Sequence, residues 1–125
     1  MEQIILFQVP EEDAVRIKRF AGALHIRTRM AEPEEYRQTL GCLAGITTRK
    51  SSERYEGTPP KESLLLFCNV SEKHLDELLA RIRKENILLD YKAVLTPSNQ
   101  NWNVLRMYGE LEKEKRLYTK ATPAD

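Results

Sequence analysis

The chain has 125 residues, the size of one domain and too short for two sizeable cores. With 41% hydrophobic and 31% charged residues, it is not a wholly disordered chain. Lys plus Arg number 20 and Asp plus Glu 19, so a formal charge of +1 supplies no global pull toward nucleic acid or anionic lipid.

The start, Met1-Glu2-Gln3, carries an acid and no basic region, and the apolar run Ile4 to Phe7 is too short for a signal peptide or a membrane span. The expected location is the cytoplasm, with no membrane partner. Cys42 and Cys68 lack CxxC or paired spacing, so two free thiols are expected.

Gln3 to Val9 (QIILFQV) is apolar and bounded by Pro10, which reads as a strand. Pro10 opens a helix with Glu11, Glu12 and Asp13 at the positive end of its dipole. Ala14, Ile17, Ala21 and Leu24 mark its buried face. Ile26 to Ala31 (IRTRMA) is a more polar strand. Pro33 opens a second helix, with Tyr36, Leu40 and Leu43 on one face and Gly41, Ala44 and Gly45 toward its end. Residues 47–62 are polar, contain Gly57 and Pro59-Pro60, and read as a mobile loop. Ser63 to Val70 (SLLLFCNV) is a strongly apolar strand, and Ser71 caps a helix marked by Leu75, Leu78, Leu79 and Ile82. Tyr91 to Leu95 is the fourth strand. Thr96 and Pro97 read as the cap and first turn of a last helix, with Trp102, Leu105, Tyr108 and Leu111 as its stripe. Residues 120–125 are expected to form a flexible tail.

The halves match at a constant offset: Val9 with Val70, Ala14 with Leu75, Ile17 with Leu78, Ala21 with Ile82, Ile26 with Ile87. A few extra residues follow in the second half before Pro33 and Pro97 open equivalent helices. One domain, 1–119, is expected, with halves 1–46 and 63–119 and a connecting loop 47–62. The first and third strands are nearly continuously apolar and belong at the centre of a sheet; the mixed second and fourth belong at its edges. This predicts an α/β (α+β) fold: a ferredoxin-like four-stranded sheet, order 4-1-3-2, from two βαβα pseudo-repeats with extra helices, its second face covered either by those helices or by a second subunit. A small parallel doubly wound sheet is the alternative.

The segments YRQTLGCLAG (Tyr36 to Gly45), LDELLARIRKENI (Leu75 to Ile87) and KAVLTPSNQNW (Lys92 to Trp102) resemble an uncharacterised bacterial family, domain of unknown function 3783. The resemblance implies a small soluble bacterial protein and brings no activity, cofactor or catalytic residue with it.

No motif points to catalysis, a metal or a cofactor. His25 and His74 form no HxH, HExxH or Cys/His arrangement, and GxGxxG, GxSxG and a Gly-rich phosphate loop are missing. A Cys68 nucleophile activated by His74 conflicts with the apolar strand around Cys68, which disfavours thiolate. The basic residues Arg16, Lys18 and Arg19 with Arg81, Arg83 and Lys84 are interleaved with acids and read as solvated helix faces. The central strands carry only Phe7 and Phe67 as aromatics, with no RNP-like run, so nucleic acid is not expected.

One ligand-site reading is drawn. Thr96, Asn99 and Trp102 lie where a strand is expected to meet a helix N-terminus, a place where amides and dipole can hold an anion. The competing reading is structural: Thr96 caps, Asn99 ties the turn, Trp102 is core. The leading expectation for function is a non-enzymatic interaction or regulatory module that self-associates as a homodimer; the alternative is a small-ligand anion sensor at Thr96 to Trp102. An enzyme using Cys68 ranks third.

Overall fold

The computed structural model describes residues 1–47, 51 and 53–121, except for the side chains of 118–121. The elements are β1 (Gln3–Phe7), α1 (Glu11–Ala23), β2 (Arg27–Met30), a 3-10 turn (Pro33–Glu35), α2 (Leu40–Leu43), β3 (Leu64–Cys68), α3 (Glu72–Lys84), β4 (Tyr91–Val94) and α4 (Val104–Ala121). The protein is a mixed α+β fold: one four-stranded sheet and four helices.

The repeat is carried by the backbone itself. β1 and α1 recur as β3 and α3 at an offset of 61 (3 to 64, 11 to 72). The non-glycine residues with positive φ are Gln8, His25, Asn69 and Asn86, and they pair at the same offset (8 to 69, 25 to 86). His25 and Asn86 each follow a helix in the left-handed conformation. The next amides reach back to close the last turn: Ile26 N–H to Ala21 O at 2.9 Å and Ile87 N–H to Ile82 O at 3.1 Å. Leu88, Leu89 and Asp90 are the extra residues, so β2 recurs as β4 at an offset of 64 (27 to 91).

β1 and β3 occupy the centre, as their apolar runs require, and pair antiparallel. Each outer strand sits beside the central strand of its own half and parallel to it, giving the order 2-1-3-4. The edge strands are therefore exchanged relative to the expected 4-1-3-2, and neither half is a split βαβ unit. A mixed edge and an apolar centre look the same in both orders, so hydropathy could not choose between them. The short loops on either side of α1 return β2 directly to β1, fixed by Arg27 N–H to Glu2 O at 3.1 Å and Ala31 N–H to Leu6 O at 3.0 Å.

Ile5 faces its own counterpart Leu66 across β1 and β3, and Thr39 forms an antiparallel bridge with its counterpart Asn103. Equivalent residues face each other at both places, so an internal two-fold relates the halves. The chain's own helices cover both sheet faces. Ile4, Leu6, Leu65 and Phe67 pack under α1 and α3. Ile5, Phe7, Leu64, Leu66 and Cys68 pack with Tyr36, α2 and α4. Phe7 and Phe67 are buried, so they form no stacking surface for bases.

The segment 47–62 forms no helix or strand among its described residues, and parts of it are anchored. Gln38 exchanges hydrogen bonds with Ser51, Tyr55 N–H donates to Glu34 O at 3.1 Å, and the Tyr55 ring stacks on Tyr36. Residues 48–50 and 52 of the expected mobile loop lie outside the described residues. α4 continues to Ala121, inside the segment expected as a tail, and residues 122–125 lie outside the described residues.

Candidate functional site

Of the two prolines expected to open helices, Pro33 opens a one-turn 3-10 helix, Pro33–Glu35, and Pro97 opens a turn. After Pro33 the helix waits until Leu40, capped by Thr39, whose Oγ1 accepts Cys42 N–H at 3.1 Å. After Pro97 it waits until Val104, where Asn103 Oδ1 accepts Arg106 N–H at 2.8 Å. The expected helix N-terminus at Thr96 to Trp102 is thus a turn. Proline fixes φ for the first residue of a turn as well as for a helix, which is why the signal reads both ways.

Asn99 holds that turn. Its Oδ1 accepts Thr96 N–H at 2.8 Å, its Nδ2 donates to Val94 O at 3.0 Å, and its own N–H donates to Thr96 Oγ1 at 3.1 Å. It is 9% exposed, so its amide is committed inward. Trp102 is half-buried, with Arg106 stacked over its ring at 4.6 Å and its carbonyl accepting Leu40 N–H at 2.8 Å. Of the three expected residues, Thr96 lines a recess that neither Asn99 nor Trp102 lines.

That cavity is a recess of about 540 Å³ on the α2/α4 side, at the end of the sheet where β3 and β4 finish. Gln3, Arg27, Ala44, Cys68, Asn69, Thr96 and Gln100 line it. The internal two-fold explains why it is hollow. At the opposite end of the sheet, the counterparts of Cys68, Gln100, Arg27 and Ala44 are Phe7, Tyr36, Tyr91 and Tyr108. Those four rings form a plug. Phe7 and Tyr36 meet edge-on at 5.9 Å and Tyr91 and Tyr108 at 6.1 Å, with Phe7 and Tyr36 fully buried. Burial pushes the Tyr36, Tyr91 and Tyr108 hydroxyls up from their usual value. One end of the protein is filled with aromatic rings; at the other, a cysteine, a glutamine, an arginine and an alanine border an open recess.

The recess carries unused polar groups. Arg27 touches Met1 Sδ at 3.8 Å and makes no ion pair among the described residues. The Asn69 and Gln100 side-chain amides have no partner among the described residues, whereas the counterpart of Asn69, Gln8, donates to the Tyr36 hydroxyl at 2.9 Å. Gln3 Nε2 donates to Ala44 O at 2.6 Å and fixes the floor. Cys68 is 2% exposed, and burial pushes its thiol up to about 12. It therefore stays protonated near neutral pH and is a poor nucleophile. His74 lies against Glu2 Oε1 at 2.7 Å, so it is engaged away from Cys68. Among the described residues, no group of three His, Cys, Asp or Glu side chains is arranged to hold a metal ion.

A second groove, of about 400 Å³, separates α1 from α3. It is crossed by an Arg16–Glu85 pair at 3.6 Å and by Arg81 stacked on Phe20 at 4.8 Å. The basic residues expected on these helices thus partly neutralise neighbouring acids.

Sequence reasoning missed Arg27, Ala44, Asn69 and Gln100. The signal was present in the repeat: aligning the halves at their two offsets sets three tyrosines and a phenylalanine against arginine, glutamine, alanine and cysteine.

No curated protein matches the chain. A matching solved structure is the crystal structure of a domain of unknown function (DUF1904) from Sebaldella termitidis, 12% identical, covering 78% of this chain and 88% of that one, with a TM-score of 0.36. The family model of domain of unknown function 3783 (DUF3783) matches residues 63–118, from β3 into α4, and leaves the first-half segment Tyr36 to Gly45 outside the match. That half of the chain resembles this family of unknown function, as its LDELLARIRKENI and KAVLTPSNQNW segments suggest.

Proposed function

We propose that this chain is a non-enzymatic binding module of the bacterial cytoplasm that holds a small molecule in the recess between β2, β3 and the 96–100 turn. The observation that carries this reading is the contrast between the two ends. A plug of four rings at one end corresponds to about 540 Å³ of space at the other, within the usual volume of a ligand pocket. The unpaired Cys42 and Cys68 suit a reducing compartment, and no helix among the described residues is long and apolar enough to cross a membrane.

This ranks the ligand reading above self-association. Self-association would serve to cover apolar sheet surface, and the chain's own helices cover both faces. A homodimer is kept as a second reading because β2 and β4 are free edges, with Met30 and its counterpart Val94 half-exposed at 46% and 49%.

The test is an amide NMR titration with a panel of small aromatic compounds. We expect shifts at Ala44, Asn69 and Gln100 and none at Tyr36 or Tyr108. A panel that leaves the first three unmoved sinks the ligand reading. Native mass spectrometry of the same sample, by subunit count, decides the dimer.

A further inference from the structure

Resting on that reading, we infer that the ligand is a small hydroxy-aromatic carboxylate, with its ring in the recess, its ring hydroxyl on Asn69 and its carboxylate on Arg27. Shape gives the ring. Cys68, Gln100 and Ala44 stand where the two-fold places Phe7, Tyr36 and Tyr108, so the missing volume is that of aromatic side chains in edge-to-face contact. The repeat also gives the hydroxyl. Gln8 Nε2 donates to the Tyr36 hydroxyl at 2.9 Å, and Asn69 has the same left-handed backbone with its amide unused. Asn69 is one methylene shorter than Gln8, so a ring seated near the place of Tyr36 and correspondingly closer to the Asn69 backbone brings its hydroxyl to that amide.

Charge gives the carboxylate. Arg27 replaces Tyr91 at the rim, touches only a thioether sulfur, and faces solvent, where a planar acid can take it bidentately. The surrounding groups repel nothing: Cys68 is a neutral thiol, Gln3, Asn69, Thr96 and Gln100 are uncharged, and among the described residues no acid lines the recess. A cationic or zwitterionic ligand would find no counter-ion there.

The experiment is isothermal titration of the full chain with 4-hydroxybenzoate and its neutral analogue 4-hydroxybenzamide. We expect the acid to bind, the amide to bind at least about tenfold more weakly, and Arg27→Gln to weaken the acid by about the same factor. Arg27 is exposed, so this variant keeps its fold, and the amide makes the same comparison on unmodified protein. Equal binding of acid and amide overturns the carboxylate assignment. So does acid binding unchanged by Arg27→Gln, and in both cases the recess still stands as a ligand site. Failure of both compounds to bind overturns the class. If the wider aromatic panel also leaves Ala44, Asn69 and Gln100 unmoved, the binding-module reading falls with it.

Discussion

The two ends of the sheet have the same backbone and opposite contents. At one end Phe7, Tyr36, Tyr91 and Tyr108 close the space beneath α2 and α4; at the other, Cys68, Gln100, Arg27 and Ala44 leave it open. Strands, turns, caps and left-handed residues repeat at fixed offsets, so the framework does not depend on what fills the ends. The filled end shows how four rings close a space of this shape, and the open end shows which groups border it where those rings are replaced. Stability should therefore be concentrated at the aromatic end.

The largest expected effect tests that division directly. Tyr36 is fully buried, touches Phe7 and Tyr55, and accepts a hydrogen bond from Gln8. Tyr36→Ala should cost about 3–5 kcal/mol, the usual range for truncating a large buried ring. Its counterpart Gln100 packs no ring and has an unused amide, so Gln100→Ala should change stability by no more than about 0.5 kcal/mol. Urea denaturation of both variants measures the difference. Similar losses at the two positions would mean that the open end is as tightly filled as the aromatic one.

A smaller effect separates structural from ligand-holding roles in the 96–102 turn. Asn99 and its counterpart Glu35 do the same job. Asn99 Oδ1 accepts Thr96 N–H at 2.8 Å, and Glu35 Oε1 accepts Glu32 N–H at 3.0 Å. Asn99 is buried and also binds Val94 O, whereas Glu35 is half-exposed and pairs with Arg29. Asn99→Ala leaves polar groups unsatisfied and should cost about 1–3 kcal/mol. Glu35→Ala exposes its partners to water and should cost about 1 kcal/mol or less. Thermal unfolding of the two variants gives the ranking; if Asn99→Ala is the milder, Asn99 is not the tie that holds this turn.

Much of this framework was legible in the sequence. The apolar runs of β1 and β3 placed them at the centre, and five matched apolar pairs revealed the repeat. Strands buried on both sides required a cover over the second face, and the structure supplies it from the chain's own helices where the sequence left a second subunit equally open. The order of the edge strands was not legible, because Arg27–Met30 and Tyr91–Val94 are equally mixed in hydropathy and either could lie beside either centre. The α-helix starts were misplaced because Pro33 and Pro97 suit the start of a 3-10 helix or a turn as readily as that of an α-helix. The recess escaped because a cavity is defined by side chains that are missing, and no single stretch reports what a partner stretch would have supplied. Only with the halves superposed does Ala44 become the place of a missing tyrosine.

The smallest expected effect concerns a contact that one half has and the other lacks. Glu2 reaches the start of α3. Its carboxylate accepts Ser71 N–H at 2.7 Å and lies 2.7 Å from His74 Nδ1. Counterparts in the other half are Ser63, Pro10 and Asp13: proline has no N–H to give, and Ser63 bonds instead to Asp90, one of the extra residues. The Ser71 backbone hydrogen bond, aided by His74 and opposed by desolvation, holds the Glu2 carboxyl below its usual value of 4.5. A carboxyl depressed by folding binds protons more readily in the unfolded chain. Its contribution is therefore fully present above 4.5 and is lost as pH falls through the lower folded value. Glu2→Gln should lower Tm modestly at neutral pH, and the gap from the unsubstituted chain should close as the pH falls from 4.5 through the lower folded value. A gap that stays constant across that range would assign the contact to hydrogen bonding that glutamine disrupts at any pH, leaving the carboxylate charge without a role in holding β1 to α3.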